Sequence, residues 1–82
     1  MSKMNLSVEG YFQNISNFVI DHFEGNPKET ISNFALNTNM SRTAVARILQ
    51  IDYFLIQFKD VVNMSTYCDI SIHDLLEYQS NK

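Results

Sequence analysis

Phe34-Ala35-Leu36-Asn37-Thr38-Asn39-Met40-Ser41-Arg42-Thr43-Ala44-Val45-Ala46-Arg47-Ile48-Leu49 is the stretch on which the reading of the chain turns. Ile31, Phe34, Ala35 and Thr38 recur at helical spacing and form one face. Asn39 follows, a residue that tolerates the left-handed conformation of a tight turn. Ser41 then offers a side-chain oxygen to the free N–H groups of a new helix. The inward positions of that helix are Ala44, Val45, Ile48 and Leu49. Ala35 is small where the second of these helices crosses the first, so the backbones can approach closely. Met40 tucks into the core between them.

Working outward, Tyr11, Phe12, Ile15, Phe18, Val19, His22 and Phe23 mark an earlier helix, with Gln13, Asn14, Asn17 and Asp21 on its other side. Gly25 is expected to end it. Asn26-Pro27 is expected to start the next helix, Asn as the cap and Pro in the first turn. Downstream, a fourth helix is expected over 57–68, with Phe58, Val61, Val62, Met64, Tyr67 and Cys68 available to pack. Ser71-Ile72-His73-Asp74 opens a short last helix through Leu75, Leu76 and Tyr78. Met1–Val8 and Gln79–Lys82 read as polar ends. The expected fold is all-α: a compact five-helix bundle in one domain over 1–82, ordered over about 8–78.

Composition agrees. Of 82 residues, 45% are hydrophobic and 18% charged, too apolar for a disordered chain. Two glycines and one proline are too few for a fold of many short strands. The single cysteine, Cys68, excludes an internal disulfide and a cysteine-rich zinc site. No apolar run is long enough to span a bilayer or to read as a signal peptide, so a cytoplasmic protein is expected. Asn5-Leu6-Ser7 and Asn14-Ile15-Ser16 are then chance matches to the glycosylation pattern. The net charge of −3 excludes a broad basic face, so any nucleic-acid contact rests on a small positive patch, or on two patches in a dimer.

The stretch from Phe34-Ala35 through Asn39-Met40-Ser41-Arg42-Thr43-Ala44-Val45-Ala46-Arg47-Ile48 resembles the helix-turn-helix of phage-repressor-like (XRE-type) DNA-binding proteins. Phe58 to Cys68, followed by Asp69-Ile70-Ser71-Ile72-His73-Asp74-Leu75-Leu76, is similar to that family's fourth helix, turn and closing helix with its leucine pair. The resemblance covers about 11–78. The chain departs from the family in three places. Asn39 stands where glycine is common, Ile31 where a backbone-contacting glutamine is common, and Leu49 and Ile51 where an acidic residue and a glycine loop are common. Sugar-phosphate-responsive regulators share the Ser-x-x-x-Val-x-Arg pattern, but their downstream sequence fits less well.

The resemblance implies a transcriptional regulator of phage or plasmid type. It would bind a double-stranded operator as a homodimer on a palindromic site, with Ser41 to Leu49 in the major groove. Arg42 and Thr43 would read bases, and Arg47 a base or a phosphate; Ser41 and Ala46 complete the exposed face. Lys28 and Thr30, at the start of the second helix, would hold a phosphate. The apolar run Tyr53-Phe54-Leu55-Ile56 cannot all face one side of an element, so part of it is assigned to a dimer or partner interface. The rival reading is a helix-turn-helix-shaped interaction module, an antirepressor or inhibitor with a regulatory protein partner and no DNA contact.

The remaining chemistry-bearing residues read as structural. His22 lies on an apolar face as a partly buried histidine, and His73 is solvated. Cys68 is a small buried apolar residue, and Met40 and Met64 fill the core. Asp69, Asp74 and Glu77 make an acidic pole pointing away from DNA. No phosphate loop, carboxylate pair or nucleophile–base pair points to an enzyme, and no metal or cofactor is expected. The composition, rich in asparagine and isoleucine, hints at an AT-rich genome.

Overall fold

The computed structural model describes residues 8–52 and 56–80, and in them the fold is all-α with five helices and no strand. They are α1 (Val8–Gly25), α2 (Ile31–Thr38), α3 (Arg42–Leu49), α4 (Phe58–Cys68) and α5 (Ile72–Leu76). The expected polar ends at 1–7 and 81–82 lie outside the described residues. Packing closes into a ring: α1 lies on α3 and α5, α3 on α2, α2 on α4, and α4 on α5. One core fills the ring, built from Ile15, Val19, Phe34, Ala35, Val45, Ile48, Ile56, Val61, Met64 and Leu75. Buried Ala35 faces α3, and the three-residue turn Asn39-Met40-Ser41 joins α2 to α3 as a helix-turn-helix.

The helix starts follow local chemistry. Ser41 Oγ accepts the Ala44 N–H at 3.0 Å, and Ser71 Oγ accepts the Asp74 N–H at 3.0 Å. At the start of α4 the Gln57 N–H donates to Asp60 Oδ2 at 3.0 Å. The helix ends share a second device. Asn39, Ile51 and Asp69 each take a left-handed φ, of 57°, 59° and 56°. In each case the next N–H reaches back five residues: Met40 to Ala35, Asp52 to Arg47 and Ile70 to Ser65. Asn and Asp adopt this conformation readily. A β-branched isoleucine does so at a cost of about 1–2 kcal/mol.

Two expectations are corrected. Asn26-Pro27 does not start α2; Thr30 does, its Oγ1 accepting the Asn33 N–H at 3.0 Å. Asn26 instead serves the preceding helix, its Nδ2 donating to the His22 carbonyl at 2.6 Å. Gly25 ends α1 as expected, as its last residue and with an ordinary φ. Phe58 does not pack. It lies six residues before Met64, about 120° around the helix from that buried position, and is 73% exposed.

Phe34 is the centre of the aromatic packing. Its ring lies 5.4 Å from His22, 5.4 Å from Phe23 and 5.6 Å from Tyr67, centroid to centroid. It thereby joins α1, α2 and α4. Phe34→Ala is expected to cost about 3–5 kcal/mol in urea unfolding. Gly25→Ala, with open space around the new Cβ, is expected to stabilise by about 0.4–1 kcal/mol in the same experiment. A loss there would mean that Gly25 does use conformations closed to alanine.

Candidate nucleic-acid interface

Ser41, Arg42 and Thr43 are exposed on the first turn of α3, while Val45 and Ile48 bury its other side. Helical periodicity decides this division: with 45 and 48 inward, 42, 43, 46 and 47 fall on the outer half. Ala46 and Arg47 are half-buried. Ser41, Arg42 and Thr43 line one open groove with Ser32, Ala35, Leu36 and Met40. Its lining mixes polar Ser32, Ser41 and Thr43 and cationic Arg42 with apolar Ala35, Leu36 and Met40. A second groove runs from Asn39, Met40, Ser41 and Ala44 to Gln57, Lys59 and Asp60. The start of α4 therefore brings Lys59 beside the start of α3.

Ser32 and Lys59 were not among the residues expected here. Ser32 was legible in principle, because it lies about one helical turn before both Ala35 and Leu36 and so flanks the side of α2 that meets α3. Lys59 was not, because its position depends on how α4 packs on α2. That packing includes Asn63 Nδ2 donating to the Thr38 carbonyl at 3.1 Å. Lys28 and Thr30 are exposed, but they do not line the groove of Arg42. Lys28 lies in a separate one, with Gly25, Asn26, Pro27, Glu29 and Asn33. Of the apolar run, Tyr53, Phe54 and Leu55 lie outside the described residues. Ile56 is 8% exposed and belongs to the core, so the interface assignment does not hold for it.

Charge is distributed along α4. Lys59 is in its first turn, and its Nζ lies 3.0 Å from the buried Asp60. Asp69 follows its last turn, about 15 Å away along the axis. Asp69, Asp74 and Glu77 are all exposed.

Behind the start of α2 lies a polar node that the sequence did not reveal. Glu29 immediately precedes the capping Thr30, and its side chain is 5% exposed. Its Oε1 accepts from Asn33 Nδ2 at 2.7 Å. Its Oε2 accepts from the Tyr67 hydroxyl at 2.8 Å and lies 2.8 Å from His22 Nε2. Burial works to raise the Glu29 pKa. The hydrogen bonds from Asn33, His22 and Tyr67, with the attraction of His22, outweigh it and hold the carboxyl below its ordinary 4.5. The same bond to Glu29 raises the Tyr67 hydroxyl above its usual range, helped by burial. Cys68 Sγ lies 3.9 Å from His22 Nδ1. Burial and then the Glu29 charge push that thiol up to about 11, so it stays protonated at neutral pH and is a poor nucleophile. His22 serves two holders from opposite nitrogens, which does not converge on one metal ion. Among the described residues no cluster of His, Cys, Asp and Glu is arranged to hold one.

The node carries a pH dependence with a definite sign. Because the folded pKa of Glu29 is depressed, its contribution is fully present above the unfolded value of 4.5 and is lost as pH falls through the folded value. Glu29→Gln is expected to unfold at lower urea than the parent at pH 7. The gap should close as the pH is taken well below 4.5. A gap that is constant with pH would remove the carboxylate as its cause.

Comparison of the chain with protein-family models, with curated proteins and with solved structures returns no match in any of the three.

Proposed function

We propose that this protein is a sequence-specific DNA-binding regulator of helix-turn-helix type, with α3 entering the major groove. The observation that carries the reading is the exposed first turn of α3. There Ser41, Arg42 and Thr43 share a groove with Ser32, and Lys59 flanks them from α4. The XRE-type resemblance of the same stretch supports it. Arg42 has the geometry to take guanine O6 and N7 with two bonds, and Thr43 can meet a thymine methyl or exchange one hydrogen bond. Lys28 and Thr30, with Ser32 and Lys59, would meet phosphates and so set register without reading sequence. One such head makes few contacts, so the protein acts as a two-fold dimer on a palindromic operator of phage or plasmid type. Tyr53, Phe54 and Leu55 are the residues assigned to the dimer contact.

The second reading, a protein-interaction module that leaves DNA alone, is favoured by a different observation. Leu36 is 80% exposed on α2 and Phe58 73% on α4. Large apolar side chains left in water are what a partner surface presents.

Gel-shift titration against duplex from immediately upstream of the protein's own coding sequence separates the two. The regulator binds it in preference to a scrambled competitor, and its affinity falls steeply with salt as counterions are released. Arg42→Ala is expected to remove about 1–3 kcal/mol of the preference for operator over competitor, with the helical signal unchanged. Absence of binding at low salt would hand the chain to the interaction reading. Sedimentation at micromolar concentration tests the dimer. A clean monomer with and without operator is incompatible with it.

A further inference from the structure

We propose that Glu29 is the positioning residue of the DNA-facing start of α2, a role that rests on the DNA-binding reading above. The segment it would position is Lys28 to Ser32. Lys28, Thr30 and Ser32 are exposed there. The N–H groups of Ile31 and Ser32 precede any residue that could receive them within the helix. Thr30 is held by the helix it caps, its Oγ1 accepting the Asn33 N–H and its carbonyl the Phe34 N–H. Glu29, the residue before that cap, points inward and ties the segment to the neighbouring helices.

Three elements grip its carboxylate. His22 comes from α1, Asn33 from α2 and Tyr67 from α4. Asn33 Nδ2 also reaches the Tyr67 hydroxyl at 3.0 Å, which closes the node on itself. The backbone is tied as well, the Glu29 N–H donating to the Asn26 carbonyl at 2.8 Å. Helix α1 meets α2 through side chains, not through close helix packing. Two polar paths join α1 to the segment: one through the His22 and Glu29 side chains, the other through Asn26, which bonds back to the His22 and Phe23 carbonyls and accepts the Glu29 N–H. Glutamine cannot replace this arrangement. Its single acceptor oxygen cannot receive three donors, and its NH2 would face one of them.

The role makes a prediction of unusual sign. A carboxylate beside a phosphate-binding segment repels DNA, so removing its charge alone would tighten binding. Losing a positioning residue weakens it. The full chain and Glu29→Gln are titrated with a short duplex of mixed sequence over a range of salt. Glu29→Gln should bind about three- to tenfold more weakly, with a salt slope shallower by about one contact. Equal or tighter binding with the slope unchanged overturns the proposal and leaves the regulator reading standing. No salt-dependent binding by the parent chain removes the regulator reading, and the proposal falls with it. If Glu29→Gln does not fold, Tyr67→Phe decides. It deletes one donor and keeps the ring against Phe34, so weaker binding with a shallower slope supports the role and parent-like binding overturns it.

Discussion

The Glu29 carboxylate is the constraint on which the relation of α1, α2 and α4 depends. A carboxylate that leaves water loses solvation worth several kcal/mol, and it stays charged only where donors replace that water. Here Asn33, Tyr67 and His22 do so, each within 2.8 Å. A hydrogen bond to a charged group contributes about 1.5–3 kcal/mol, so the three together offset the burial. Around this polar point the rings of Phe34, Phe23, Tyr67 and His22 pack edge to face or tilted. The apolar cluster supplies contact area and the carboxylate supplies direction. One side chain thus fixes the turn between the first two helices and the entry of the second.

A second constraint is the scarcity of glycine. Three helices end through a left-handed residue, and none of the three is glycine. Asparagine and aspartate fill two of these places at little cost. Ile51 fills the third, at the end of α3 and the head of the apolar connector. Beyond it Ile56 is back in the core, and at the start of α4 Lys59 stands near Ser41.

The net acidity of the chain does not preclude a local positive patch. Lys59 stands in the first turn of α4 near Ser41, about 15 Å along the axis from Asp69. Net charge governs long-range attraction, but contact is set by what lies within a Debye length of roughly 10 Å. A short ion pair draws Lys59 toward Asp60, which dilutes its charge without removing its exposed end.

The sequence by itself determined what short-range chemistry decides. Ser41 and Ser71 each bond an N–H three residues on, and Asn39 turns within its own backbone, so each was legible from its neighbours. The buried stripe of Phe34, Ala35, Val45 and Ile48 followed from a 3.6-residue period. Residues outside the described segments aside, the five helices and the exposed turn of Arg42 and Thr43 came from such signals. Only the tertiary structure decided where partners lie far apart in sequence. Glu29 and Tyr67 are 38 residues apart, and no periodicity joins them. Thr30, not Asn26, caps α2, while Asn26 bonds back to the His22 carbonyl, and Lys59 came beside Ser41 through the packing of α4. Local propensity describes each segment alone. The choice among segments is made by contacts that form only once the chain has closed its ring.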